Sequence, residues 1–105
     1  MRNHSVAGAR SAETSASSLA EQNRLLAAAM DASRARDDRR AIALLGDLLT
    51  RYPSSPLAQE AEVQRFRALT RSGDRREAAR RARQYLAAYP NGFAREEAKT
   101  VALEP

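Results

Sequence analysis

Two acidic pairs, Asp37-Asp38 and Glu96-Glu97, and a single histidine, His4, are the residues of this 105-residue chain best suited to moving protons. General acid/base work needs two groups facing one substrate, whereas neighbours in a helix point about 100° apart. His4 stands in a polar stretch remote from both pairs. There is no cysteine, which removes disulfides, thiolate metal sites and a cysteine nucleophile. No glycine-rich phosphate loop is present. Catalysis is therefore not expected, and neither is a bound cofactor or metal. Asp37-Asp38 suits a helix N-terminus, where acid complements the dipole, and Glu96-Glu97 suits a solvent face.

The remaining chemistry is cationic. The formal net charge is +5, and every one of the 18 basic residues except Lys99 is arginine. Between Gln64 and Arg83 eight arginines face only Asp74 and Glu77, and Arg76, Arg80 and Arg83 fall on one helical face. Such a face could neutralise phosphates or an acidic surface. No recognition helix, aromatic platform or glycine clamp accompanies it, so it reads as a solvated outer face and nucleic acid is not an expected partner.

Ala and Leu dominate the apolar residues, and both favour helix over strand. From Leu19, apolar residues recur at three- and four-residue spacing through Leu25, Ala28, Ala29 and Ala32, then through Ala41, Leu44, Leu45, Leu48, Leu49 and Tyr52. Residues 34–38 between them allow only a tight turn, so the pair is antiparallel. Tyr52-Pro53 ends the second helix and Ser54-Ser55-Pro56 starts the next. Gly73 and Pro90-Asn91-Gly92 mark further ends. The chain thus predicts an all-α domain over residues 19–103, with hairpins at about 19–53 and 57–90. A capping helix over 93–103 would lay Phe93, Val101 and Leu103 on the second hairpin and turn Arg95, Glu96, Glu97 and Lys99 to water. Residues 1–18 read as a polar, Ser/Ala-rich disordered linker.

Asp37, Arg39, Ala41, Leu49, Tyr52 and Pro53 recur 37 residues later as Asp74, Arg76, Ala78, Leu86, Tyr89 and Pro90. Leu26 matches Val63, and Leu48 matches Tyr85. With Leu25, Ala28, Ala29 and Ala32 in the first helix and Ala41, Leu45, Leu48 and Pro53 in the second, the sequence resembles the tetratricopeptide family of helix-hairpin repeats. The period and the joints YPSSPLAQEA and YPNGFAREEA are most similar to the subgroup found in bacterial envelope proteins, including outer-membrane assembly lipoproteins. In the second unit Arg65-Phe66 stand where the family has a large and then a small residue, and Ala82 stands where it has a bulky one.

The resemblance implies an α-solenoid of about two antiparallel hairpins with a C-terminal capping helix, serving as a non-catalytic scaffold for a protein or peptide partner. Its groove would be lined by Asn23, Leu26, Met30, Ser33 and Arg34 from the first hairpin and by Glu60, Val63, Arg67, Thr70 and Arg71 from the second. Met30 and Leu26 would grip apolar side chains; Arg34, Arg67 and Arg71 would read carboxylates or backbone carbonyls. The family's carboxylate clamp needs a basic residue and Asn where this chain has Leu26 and Met30, so that specialised function is not expected. The alternative is an Arg-rich electrostatic binder of nucleic acid or an anionic surface. The first hairpin has no expected cap, which leaves its edge open to self-association. No transmembrane segment or signal peptide is expected: the chain reads as cytoplasmic by default, and as periplasmic or envelope-associated if it belongs to a larger protein.

Overall fold

The computed structural model describes the backbone of residues 2–103 and the side chains of residues 17–103. Five helices, α1 (Arg2–Arg34), α2 (Asp38–Arg51), α3 (Ala58–Ser72), α4 (Arg75–Ala88) and α5 (Arg95–Ala102), follow one another. Each packs against the next in the chain. Among the described residues there is no strand. The linker expected over 1–18 falls on the first part of α1, outside the residues whose side chains are described apart from Ser17 and Ser18.

Local chemistry sets the helix ends, and it does so twice with the same parts. The Asp37 carboxylate accepts from the Arg40 N–H at 3.2 Å, and the Asp74 carboxylate accepts from the Glu77 N–H at 3.3 Å, which satisfies one orphan donor at each N-terminus. Tyr52 and Tyr89 close α2 and α4 with closely matching backbone angles, each donating its N–H to a carbonyl four residues back. The turns before α2 and α4 each contain one left-handed residue, Arg36 at φ 64° and Gly73 at φ 92°. Glycine takes that conformation without a Cβ penalty, and Arg36 does not.

The core follows the same register with residue sizes exchanged. In the first hairpin Ala29 and Leu45 lie fully buried in one cluster with Leu25 and Leu48; their counterparts 37 residues on, Phe66 and Ala82, lie fully buried in the next. The small residue sits on the first helix in one unit and on the second helix in the other. Total volume is nearly kept, which is the kind of change a close-packed core accepts. The Arg65-Phe66 and Ala82 departures thus have a packing explanation at Phe66 and Ala82.

Residue Arg65 is 9% exposed, and its guanidinium donates to Glu62 at 3.1 Å. Its Nε is buried without a partner. Burial lowers its affinity for the proton, opposed by Glu62.

The capping helix differs from expectation in the residues that do the covering. Ala94 and Ala98 enter the second cluster, with Val101 and Ala102 packed against it. Phe93 and Leu103 remain 61% and 83% exposed. An eight-residue helix has little more than two turns, and what α5 and its N-cap set against Val63, Phe66, Ala82 and Tyr85 is Ala94 and Ala98, with Val101 and Ala102 at the edge.

Candidate partner-binding face

The side chains expected to line a groove are distributed over α1 and α3, and the structure joins them at one place directly. Arg71 Nη2 donates to Ser33 Oγ at 3.1 Å while Arg71 Nε donates to Asp38 Oδ1 at 3.1 Å. One guanidinium therefore ties together the end of α1, the start of α2 and the end of α3. A second link runs from α3 to α5, where Arg67 holds Glu97 through two parallel bonds of 2.8 and 2.7 Å. Fork-to-fork pairing of this kind fixes orientation as well as charge. Hydrogen bonding to Arg67 holds the Glu97 carboxyl below the usual carboxylate range, and the same bonds raise Arg67. Glu97 was expected to face water; its partner stands 30 residues earlier on another helix, a separation that gives no sequence signal.

Arg34 likewise pairs with Asp31, one turn back on its own helix. All three arginines expected to read a partner's carboxylates are thus engaged by carboxylates of the chain itself.

Arg67, Thr70, Arg71, Glu97 and Val101 surround a hollow of about 280 Å³ between α3 and α5. Three of these belong to the expected groove set, whereas Glu97 and Val101 do not. Thr70 turns its hydroxyl back to the Phe66 carbonyl at 2.8 Å, leaving its methyl for the surroundings. Asn23 and Arg34 are exposed, and Met30, Ser33 and Glu60 are half-buried. Glu60 accepts from Gln64 Nε2 at 2.7 Å, which holds its carboxylate to the buried Gln64 one turn further along α3.

Of the expected lining residues, Val63 belongs to the core and Leu26 packs against its edge. Val63 is fully buried with Phe66 and Tyr85, so its side chain lines no surface. Leu26 is half-buried and packs against the cluster of Leu25, Ala29 and Leu45. The helical period places both correctly relative to their neighbours, but α4 and α5 reach around α3 far enough to enclose Val63.

The arginine face of α4 is also partly committed. Arg80 and Arg81 both hold Glu77, and Arg83 donates to the Ala102 carbonyl at 3.1 Å. Arg76 is exposed. Among the described residues no group of three or more His, Asp or Glu side chains is placed to hold a metal. No helix there is long and apolar enough to cross a membrane. Comparison of the chain with protein-family models, curated proteins and solved structures finds no match.

Proposed function

We propose that this chain is a tetratricopeptide-type interaction module that holds a partner polypeptide on the face shared by α1, α3 and α5 and performs no catalysis. The observation that carries the reading is the recurrence, 37 residues apart, of caps, left-handed turns, tyrosine helix ends and core positions. Stacked equivalent hairpins present their first helices along one continuous side. The bonds from Arg71 to Ser33 and from Arg67 to Glu97, which join α1, α3 and α5, support reading these helices as one side.

Comparison of equivalent positions bears on self-association. Ala61 and Ala68 of α3 are fully buried in clusters shared with the first hairpin. The α1 residues 37 positions earlier are Arg24 and Asp31, whose side chains are 69% and 72% exposed. A charged surface at those positions favours water over a second copy of the hairpin.

The test is a photoreactive amino acid placed at Met30, and separately at exposed Ala43 on α2, with adducts from a native lysate identified by mass spectrometry. A discrete protein adduct from Met30 and none from Ala43 is expected. Equal labelling from both positions would remove the assignment of the face.

A second reading rests on Arg36, Arg39, Arg40 and Arg76, which are exposed and carry no ion pair among the described residues. They flank the two turns that Arg71 ties together, and they support electrostatic binding of a polyanion there. Charge-only binding weakens steeply with salt. Retention of sequence-selective duplex binding at physiological salt would place this reading first.

A further inference from the structure

The net charge of the chain is gathered at one edge. Residues 34–40 hold four arginines against Asp37 and Asp38, and residues 71–76 hold three against Asp74, so four of the five net positive charges lie at the two helix turns. The turns are neighbours in space, because Arg71 binds Ser33 and Asp38 at 3.1 Å each. The carboxylates there are engaged locally: Asp37 and Asp74 cap α2 and α4, and Asp38 holds Arg71. Arg36, Arg39, Arg40 and Arg76 are exposed and carry no ion pair among the described residues.

The backbone singles out one of the four. Position 36 corresponds to Gly73 across the 37-residue period, and both are left-handed, at φ 64° and 92°. Glycine adopts that conformation freely, and arginine does so against its Cβ. A strained arginine where glycine serves in the sister turn points to a role for its side chain.

The surroundings of these guanidiniums narrow the partner. Among the described residues the exposed large apolar side chains are Leu19, Phe93 and Leu103, none of them within either turn. A protein partner needs an apolar centre to the contact, and a lipid surface needs an apolar face to insert. The aromatic residues are elsewhere too: Tyr52 and Tyr89 close α2 and α4, Phe66 and Tyr85 are core, and Phe93 precedes α5. Unpaired bases would therefore find nothing to stack on. A duplex keeps its bases inside and offers a regular row of phosphates, for which guanidinium forks suffice.

Resting on the electrostatic reading, we infer that the two turns form an edge that binds the phosphodiester backbone of a nucleic-acid duplex without regard to base sequence. Arg36, Arg39, Arg40 and Arg76 contact phosphates, and Arg71 holds the two turns together.

Titration of the full chain with a DNA duplex, an RNA duplex, the single strand, polyglutamate and vesicles rich in anionic lipid tests this. At least one duplex should bind about tenfold or more tighter than the other three probes, and scrambling its sequence should change affinity less than about twofold. Four phosphate contacts should weaken binding on the order of a hundredfold between about 50 and 200 mM salt. Arg36→Gly should lower duplex affinity about threefold or more with the thermal midpoint kept or raised, since the turn relaxes as the contact is lost. Arg39→Gln, Arg40→Gln and Arg76→Gln combined should lower it about thirtyfold or more. Arg80→Gln, at a side chain already held by Glu77, should change it less than about twofold.

Equal or tighter binding of the single strand, polyglutamate or vesicles, still lost in the arginine variants, would overturn the inference and leave electrostatic binding at these turns in place. Absence of duplex binding at low salt would overturn the inference as well. Binding that survives the loss of Arg36, Arg39, Arg40 and Arg76 would overturn the electrostatic reading along with it.

Discussion

The hydroxyl of Tyr85 occupies the space that a side chain at Gly92 would need: a Cβ built on Gly92 overlaps the Tyr85 oxygen and comes within 2.6 Å of Gln59 Oε1. That hydroxyl donates to Gln59 Oε1 at 2.8 Å and accepts from the Ala94 N–H at 3.1 Å. In the first unit, 37 residues earlier, the same job falls to Ser55. Its hydroxyl donates to Gln22 Oε1 at 2.6 Å and accepts from the Leu57 N–H at 2.9 Å. Leu48 and Ser55 in one unit are thus replaced by Tyr85 and Gly92 in the other, with one hydroxyl kept at the joint each time.

This exchange predicts a coupled pair. Gly92→Ala should destabilise by roughly 1–3 kcal/mol through overpacking. Tyr85→Leu should cost about as much by leaving Gln59 and the Ala94 N–H short of a partner. With Gly92→Ser measured as the second single variant, the double variant Tyr85→Leu with Gly92→Ser, which copies the first unit, should be less damaged than the sum of Tyr85→Leu and Gly92→Ser by about 1 kcal/mol or more in a denaturant double-mutant cycle. Additive losses would show that the two sites are independent.

The size exchange in the core makes a parallel claim. Phe66→Ala should cost about 3–5 kcal/mol as a large-to-small change at a fully buried site. Ala82→Leu alone should also destabilise, by about 1–3 kcal/mol. Combined, they reproduce the Ala29–Leu45 arrangement, so Ala82→Leu should become favourable once Phe66 is alanine. Thermal melts of the four proteins read the sign, and a loss from Ala82→Leu in both backgrounds would contradict it.

Acid should loosen the link between α3 and α5. The folded-state affinity of Glu97 for its proton is depressed, first by its hydrogen bonds to Arg67, with burial opposing. A depressed carboxylate contributes stability above its unfolded value, near 4.3, and loses it as pH falls through the lower folded value. Both side chains are more than a third exposed, so solvent screening limits the contribution to about 0.5–1 kcal/mol. Glu97→Gln should therefore be less stable than the parent at pH 7 and equal to it near pH 2. A gap that persists in acid, measured by urea unfolding at both values, would mean that the pair's charge is not what matters.

Gly46 lies inside α2 with only Arg65 Nη1, at 3.8 Å, near the position of a Cβ. That is ordinary contact, so Gly46→Ala should stabilise by roughly 0.5–1 kcal/mol through the helix preference alone. A loss of stability on chemical denaturation would show that the Arg65 guanidinium needs the space.

Much of this was legible along the chain. Three- and four-residue apolar spacing located α2 through α4 to within a residue or two at either end. Asp37, Asp74, Gly73 and the two Tyr-Pro pairs marked their own ends, because capping and turn formation are settled by a few neighbouring residues. The 37-residue period followed from the same local signals; the choice of Met30, Arg67, Thr70 and Arg71 as lining came from the family resemblance alone, and in the structure the first three are half-buried and Arg71 is exposed.

Periodicity sees one helix at a time, and the remaining decisions needed two or more. Val63 became core because residues of α4 and α5 close around it, and it is Ala94, Ala98 and Val101, not Phe93 and Leu103, that enter or border that cluster. The partners of Arg67 and Arg71 lie 30 or more residues away, so no spacing rule could show that these cations are already neutralised. Helix register is a local property, fixed by the sequence itself. Whether an arginine is free to meet a partner depends on which carboxylates the packed helices bring to it, and only the tertiary structure decides that.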